Sequence, residues 1–162
     1  MEDFLSNFRQ TIETASESLL QISEAQSEQP RMAGKWSPKE IIGHLIDSAA
    51  NNHQRFVRAQ FTDDLVFEGY DQEEWVRVQH YNRESWIQLV QLWQHYNLHL
   101  LHFMTFIPAE PLRKLRAKHS LSRIAWQQVN ENEPATLESF MRDYVEHLKN
   151  HLRQILPVSD KL

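Results

Sequence analysis

Apolar residues recur at steps of three and four along four long segments of the chain. From Asp3 to Ala25, the residues Phe4, Phe8, Ile12, Ala15, Leu19 and Ile22 fall on one face of a helix. Ser27 to Lys35 interrupts the period, with Pro30 and Gly34 as breakers. The second segment has the sharpest start. Ser37 stands at an N-cap position, Pro38 is the first helical residue and Glu40 follows three after the serine, which is a capping box with proline where its missing N–H costs nothing. Ile41, Ile42, Leu45, Ala49 and Phe56 form its core stripe, and it is expected to end near Gln60. The third helix is predicted from a cap at Asn82 to about Phe106, with Trp86, Leu89, Val90, Trp93, Leu100, Met104 and Ile107 buried. The fourth begins at a Thr136 cap and stops before Pro157, with Leu137, Phe140, Met141, Tyr144, Leu148, Leu152 and Ile155 inward.

Four amphipathic helices predict an all-α protein, a four-helix bundle. Two connections are long: Phe61 to Tyr81, with one short helix near Glu73 to Val78, and Pro108 to Ala135, with little period. Both exceed the roughly two to eight residues usual between bundle helices. Long loops are also where a site acquires its lid or substrate pocket. A length of 162 residues predicts a single domain over 1–162.

Composition narrows the chemistry. There is no Cys, which excludes disulfides, thiolate metal sites and a Cys nucleophile, and suits a reducing cytoplasm. No signal peptide and no membrane span are expected. A net charge of -5 argues against nucleic acid as a partner. The densest basic run, Arg113, Lys114, Arg116 and Lys118, lacks interleaved aromatics and reads as a solvated loop. Nine His and five Trp are the bias that stands out.

Two pairs, His95/His99 and His147/His151, have the one-turn spacing that lets two rings hold one metal, so the faces they occupy must separate them. His95, His99 and His102 point away from the apolar stripe of their helix and read as a solvated polar face. His147 and His151 border the stripe of theirs, above Phe140 and beside Tyr144 and Leu148. Spacing and face leave two readings open: a metal pair, or two core-edge histidines with separate hydrogen bonds. A third ligand is available on the second helix, where His44, Asp47 or Ser48, Asn51 and Arg55 form a polar line that reads either as solvated surface or as an inward seam. Asn97 interrupts the apolar stripe of the third helix, either as a helix–helix hydrogen bond or as a group orienting a bound molecule. His53 faces the apolar side of its helix and reads as structural, while Arg55 and Arg58 read more readily as ordinary surface arginines than as anion contacts. A three-His site keeps coordination positions open and retains its +2 charge, as a catalytic metal requires. No HExxH motif supplies a Glu beside the pair, which leaves Asp47, one turn from His44, as the candidate for a base or for a partner that orients a ligand.

The stretch KWSPKEIIGHLIDSAANNHQRF, with the later DYVEHLKNHLRQI after Thr136 and Leu137, resembles the DinB/YfiT-like superfamily. The resemblance runs from the second helix to the end of the fourth. It implies a four-helix bundle, often a homodimer, with a divalent metal, commonly nickel or zinc, on three His that match His44, His147 and His151. It implies a small-molecule substrate and one of two activities: transfer of a low-molecular-weight thiol, or hydrolysis. An enzyme of this kind is expected to line its cleft with Asp47, Asn51, Asn97 and Tyr144. The alternative is a non-catalytic bundle in which the metal or His cluster is structural and function lies in an interface.

Overall fold

The structure, a computed structural model, describes residues 1–156. Its helices are α1 (Glu2–Leu19), α2 (Glu24–Ser27), α3 (Pro38–Arg58), α4 (Gln72–Gln79), a 3-10 turn (Tyr81–Arg83), α5 (Trp86–Thr105), α6 (Ala109–Arg113), α7 (Leu121–Ile124) and α8 (Leu137–Ile155). Among the described residues none is long and apolar enough to cross a membrane. The four long helices form a bundle in which α3 packs on α5 and α8, and α1 packs on the same two. The order around the bundle is therefore α1, α5, α3, α8. Helices α1 and α3 lie on one diagonal, and α5 and α8 on the other. The links from α1 to α3 and from α5 to α8 join helices on a diagonal and so cross the bundle, whereas α3 and α5 are neighbours and the long link between them carries α4 and the 3-10 turn.

The caps at Ser37 and Thr136 form as expected. The Ser37 hydroxyl accepts from the Glu40 N–H, and the Glu40 carboxylate accepts from the Ser37 N–H at 2.8 Å. The Thr136 hydroxyl accepts from Ser139 N at 3.0 Å. The short helix expected near Glu73 is α4, capped by Asp71. Pro157 lies outside the described residues.

Two boundaries differ from the expectation. The first helix ends at Leu19 rather than Ala25, because Ser23 forms its own capping box with Gln26 and starts α2. That turn delivers Glu24 and Glu28 to the ammonium of the buried Lys39 on α3, and Glu24 also accepts from the Trp86 N–H at 3.0 Å. The third helix begins at Trp86 and not after Asn82, because residues 81–83 are spent on the 3-10 turn that inserts Tyr81 against α3. The connection after α5 is also more ordered than its sequence suggested. It carries α6 and α7, and single bridges pair Leu65 with His119 and Arg116 with Ala135. Arg116, expected in a solvated run, is 2% exposed and donates to the carbonyls of Ala59 and Pro111.

The core is aromatic at the level that matters for the site. Phe56 meets Phe140 and Tyr144 edge-on, with ring centres 5.3 and 5.9 Å apart, and Phe8 meets Tyr144 at 6.2 Å. These rings pin α8 against α3 and α1. The Tyr81 insertion depends on Gly43, since a Cβ there would lie 2.0 Å from Tyr81 Cδ2. Gly43→Ala is therefore expected to destabilise the protein. Overpacking costs about 1–3 kcal/mol, against a gain of up to about 1 kcal/mol from removing a helical glycine. Urea unfolding should show a lower midpoint for the variant; an equal or higher midpoint would refute the close packing of Tyr81 on α3.

Candidate metal centre

The capped start of α3 sets the rotation of that helix, and His44 follows the cap by two turns, on the face turned to α8. It is 1% exposed, with the Trp36 ring 5.1 Å away. On α8, one turn separates His147 from His151, which places both rings against His44. The three ring centres lie 4.6 to 5.1 Å apart. One nitrogen from each ring falls within 4.8 Å of the others, and Nε2 of His44 is 3.2 Å from Nε2 of His147.

Burial governs the charge of this cluster. It holds the pKa of His44 and of His147 down to about 3, with the neighbouring rings adding to the effect, and burial lowers His151 as well. All three are neutral imidazoles at neutral pH, each with a free lone pair. Nδ1 of His44 and Nδ1 of His151 are buried without a hydrogen-bond partner. Such nitrogens are costly to bury, which marks the cluster as something other than a set of satisfied core residues.

The residues fit a divalent ion. Nitrogens bound tetrahedrally at 2.0–2.1 Å lie about 3.3 Å from one another, and the His44–His147 separation is close to that. Three neutral nitrogens suit borderline ions such as zinc or nickel.

A cavity of about 630 Å³ opens beside the cluster, with His44 and His147 in its wall. Ser48, Asn52 and Arg55 continue the wall along α3, at steps of four, four and three from His44, which is one helix face. Tyr70 and Trp126 come from the long connections, and Phe140, Asp143 and Tyr144 from α8.

Of the polar residues expected around the metal, only Tyr144 lines this cavity. Asp47 does not. Its Oδ1 accepts from Tyr81 at 2.7 Å and from Gln79 at 2.6 Å, so it anchors the 3-10 turn and α4 instead of facing a substrate. Burial raises its pKa, partly offset by those two bonds. Asn51 is turned off the cavity, donating to the Asp47 carbonyl at 2.9 Å; its neighbour Asn52 holds the inward position. Asn97 is wholly buried behind the wall, where it accepts from the Tyr144 hydroxyl at 2.6 Å and donates to the Trp93 carbonyl. It positions Tyr144 and touches no ligand space. The polar line of α3 thus faces inward one residue later than the Asp47–Asn51 alternative.

Sequence reasoning missed Asn52, Tyr70 and Asp143, and it placed Arg55 on the surface, whereas Arg55 is 7% exposed. A signal existed for two of them: Asn52 is one turn beyond Ser48, and Asp143 is one turn before His147. His53 is half-buried, with Nδ1 3.3 Å from the Tyr96 hydroxyl, and His95, His99 and His102 are exposed, as their faces suggested.

The sequence matches the family model described as the DinB superfamily over residues 7–155. YfiT from Bacillus subtilis, described as a probable metal-dependent hydrolase with an unusual four-helix bundle topology, shares this fold with a TM-score of 0.76. The match covers 95% of this chain and 82% of that one at 17% sequence identity. No protein of curated function matches the chain.

The neutral histidines make stability depend on pH in a defined window. In the unfolded chain they take up protons near 6.5, whereas His44 and His147 in the fold resist until about 3. Between those values the unfolded state holds more protons, so stability is present above about pH 6.5 and is lost as pH falls toward 3. The slope is at most about 1.4 kcal/mol per pH unit for each histidine. Thermal melts of metal-free protein from pH 7 to 4 should show a falling Tm, with a shallower fall in His147→Gln. Parallel curves would mean that the rings titrate freely in the fold.

Proposed function

The chain belongs to the DinB superfamily, and on that premise we propose that it is a divalent-metal-dependent enzyme. It would activate a small nucleophile, water or a low-molecular-weight thiol, against an electrophilic small molecule held in the cavity. The observation that carries this reading is the convergence of three neutral imidazoles on a wall of that cavity. His44, His147 and His151 would hold the ion. A cation held by three uncharged ligands retains its +2 charge, and supplies acidity that makes water or a thiol nucleophilic near neutral pH.

The chain's own groups do the rest. Phe140 and Tyr144 give the cavity an apolar side, and Asn97 keeps the Tyr144 ring in place. Ser48 and Asn52 present hydrogen-bonding groups along the opposite side. Asp143 is the carboxylate on the wall nearest in sequence to the ligands, but both of its oxygens accept backbone N–H groups, from Trp126 at 2.9 Å and Gln127 at 2.8 Å. Burial nevertheless raises its pKa, and the two bonds only partly offset this, so Asp143 is the carboxylate on this wall best placed to take a proton from either nucleophile.

Elemental analysis of protein purified without an affinity tag tests the site. The wild type should carry about one equivalent of nickel or zinc and His151→Ala should carry none. Absence of metal from the wild type after incubation with either ion at neutral pH would remove the reading. Turnover that requires an added thiol would then separate the transferase from the hydrolase. A metal-loaded protein whose ion cannot be reached by a small thiol or by azide would instead point to a structural ion.

A further inference from the structure

The ion site leaves the far end of the cavity unexplained, and Arg55 stands there. It is 7% exposed. Its Nη2 donates to the Glu68 carbonyl at 2.6 Å and its Nη1 to Asn52 Oδ1 at 3.4 Å, and its guanidinium carbon lies 6.0 Å from the centre of the Tyr70 ring. Every one of these partners is uncharged. Among the described residues, no carboxylate oxygen lies within 4.0 Å of an Arg55 nitrogen. The acids that share the wall do not answer it. Asp143 is engaged with two backbone N–H groups, Asp71 caps α4 through Oδ1, and Glu73 is exposed at the rim.

A buried cation without a counter-charge is costly, and a guanidinium has five N–H donors in a fixed fork, of which the protein engages two. The Glu68 carbonyl and Asn52 hold that fork in place. Arg55 also sits eleven residues beyond His44 on the same face of α3, a rise of about 16 Å along the axis before the two side chains shorten the gap. The rings of Phe140 and Tyr144 line the same cavity and pack on Phe56, the residue after Arg55.

We propose that Arg55 anchors a carboxylate, and that the cavity takes an elongated organic anion: acid group on the Arg55 fork, apolar body along Phe140 and Tyr144, reactive end toward His44 and His147. The orientation of the reactive end rests on the metal-dependent reading above; the anchoring of the acid does not. A carboxylate meets a guanidinium through two parallel N–H···O bonds, which is why arginine and not lysine suits the position. The carboxylate belongs either to the electrophile or to a thiol cosubstrate, and the chemistry of recognition is the same for both.

Two matched pairs of probes distinguish these sources. One pair is 3-phenylpropionate and 3-phenylpropionamide; the other is N-acetylcysteine and its amide. Binding is measured by calorimetry to wild type, Arg55→Gln and Arg55→Lys, each incubated with zinc, with zinc content and melting temperature recorded for every protein. The wild type should prefer an acid over its amide by roughly ten- to hundredfold, as expected for a charged hydrogen-bonded pair. Arg55→Gln should lose that preference and Arg55→Lys should keep a minor part of it, while both retain zinc and fold. Preference within the phenyl pair alone assigns the anchor to the electrophile; preference within the thiol pair alone assigns it to the cosubstrate. Equal binding of acid and amide in both pairs, or an undiminished preference in Arg55→Gln, overturns the proposal. If the wild type takes up no zinc yet shows the Arg55-dependent preference, the anion anchor stands and the metal-dependent reading falls. If Arg55→Gln fails to fold, the acid–amide comparison in the wild type and Arg55→Lys decides.

Discussion

Burial of His44, His147 and His151 against one another sets the terms for the rest of the molecule. Three imidazoles pressed together out of water stay uncharged, because each protonation would meet both desolvation and a neighbouring ring. The seam between α3 and α8 therefore has to be held closed by something other than the polar groups within it. The Phe56, Phe140, Tyr144 and Phe8 contacts do this on the core side, while the buried Lys39, tied to Glu24 and Glu28, fixes α2 against the start of α3. Aromatic packing and helix capping thus maintain a cluster that contributes little stability of its own.

The face of α3 that meets the cavity is decided to within a single residue. His44, Ser48, Asn52 and Arg55 look inward, while Asp47 and Asn51, next to them in sequence, are taken up by the structure around them. Tyr81 and Gln79 claim Asp47, and Tyr81 can reach it because Gly43 has no side chain. The carboxylate that looked most available for proton transfer is thus part of the scaffold, and it holds α4 over the start of the cavity. A polar face on a helix is not one site; neighbouring residues on it serve different neighbours.

Much of this was legible from the chain. The apolar period of four segments, the capping box at Ser37 and the position of His147 and His151 at the edge of a stripe are local properties, and they survive folding unchanged. Asn97 announced itself as a polar interruption of an apolar stripe, although its partner, the Tyr144 hydroxyl on another helix, could not be read from one helix alone. What could not be read is what the long connections cover. Arg55 and Arg116 resemble surface residues by type, and both are buried by chain from the connections or by the loops they bind: Glu68 and Tyr70 for the first, Pro111 and Ala59 for the second. The order of helices around the bundle is likewise a property of pairs distant in sequence, and a single helix face carries no trace of it.

That order has a consequence in time. His44 and His147 are 103 residues apart in the chain. At a synthesis rate of about 5–20 residues per second, His147 leaves the ribosome roughly 5 to 20 s after His44. Until then α3 lacks the surface that buries its ring, and His44 titrates and exchanges like any solvated imidazole. The three-His cluster thus comes into being only when α8 is made and docked. Any ion it held would be chosen by the finished fold, at the ion concentrations the completed protein meets, and no nascent fragment ending before α8 would contain the set.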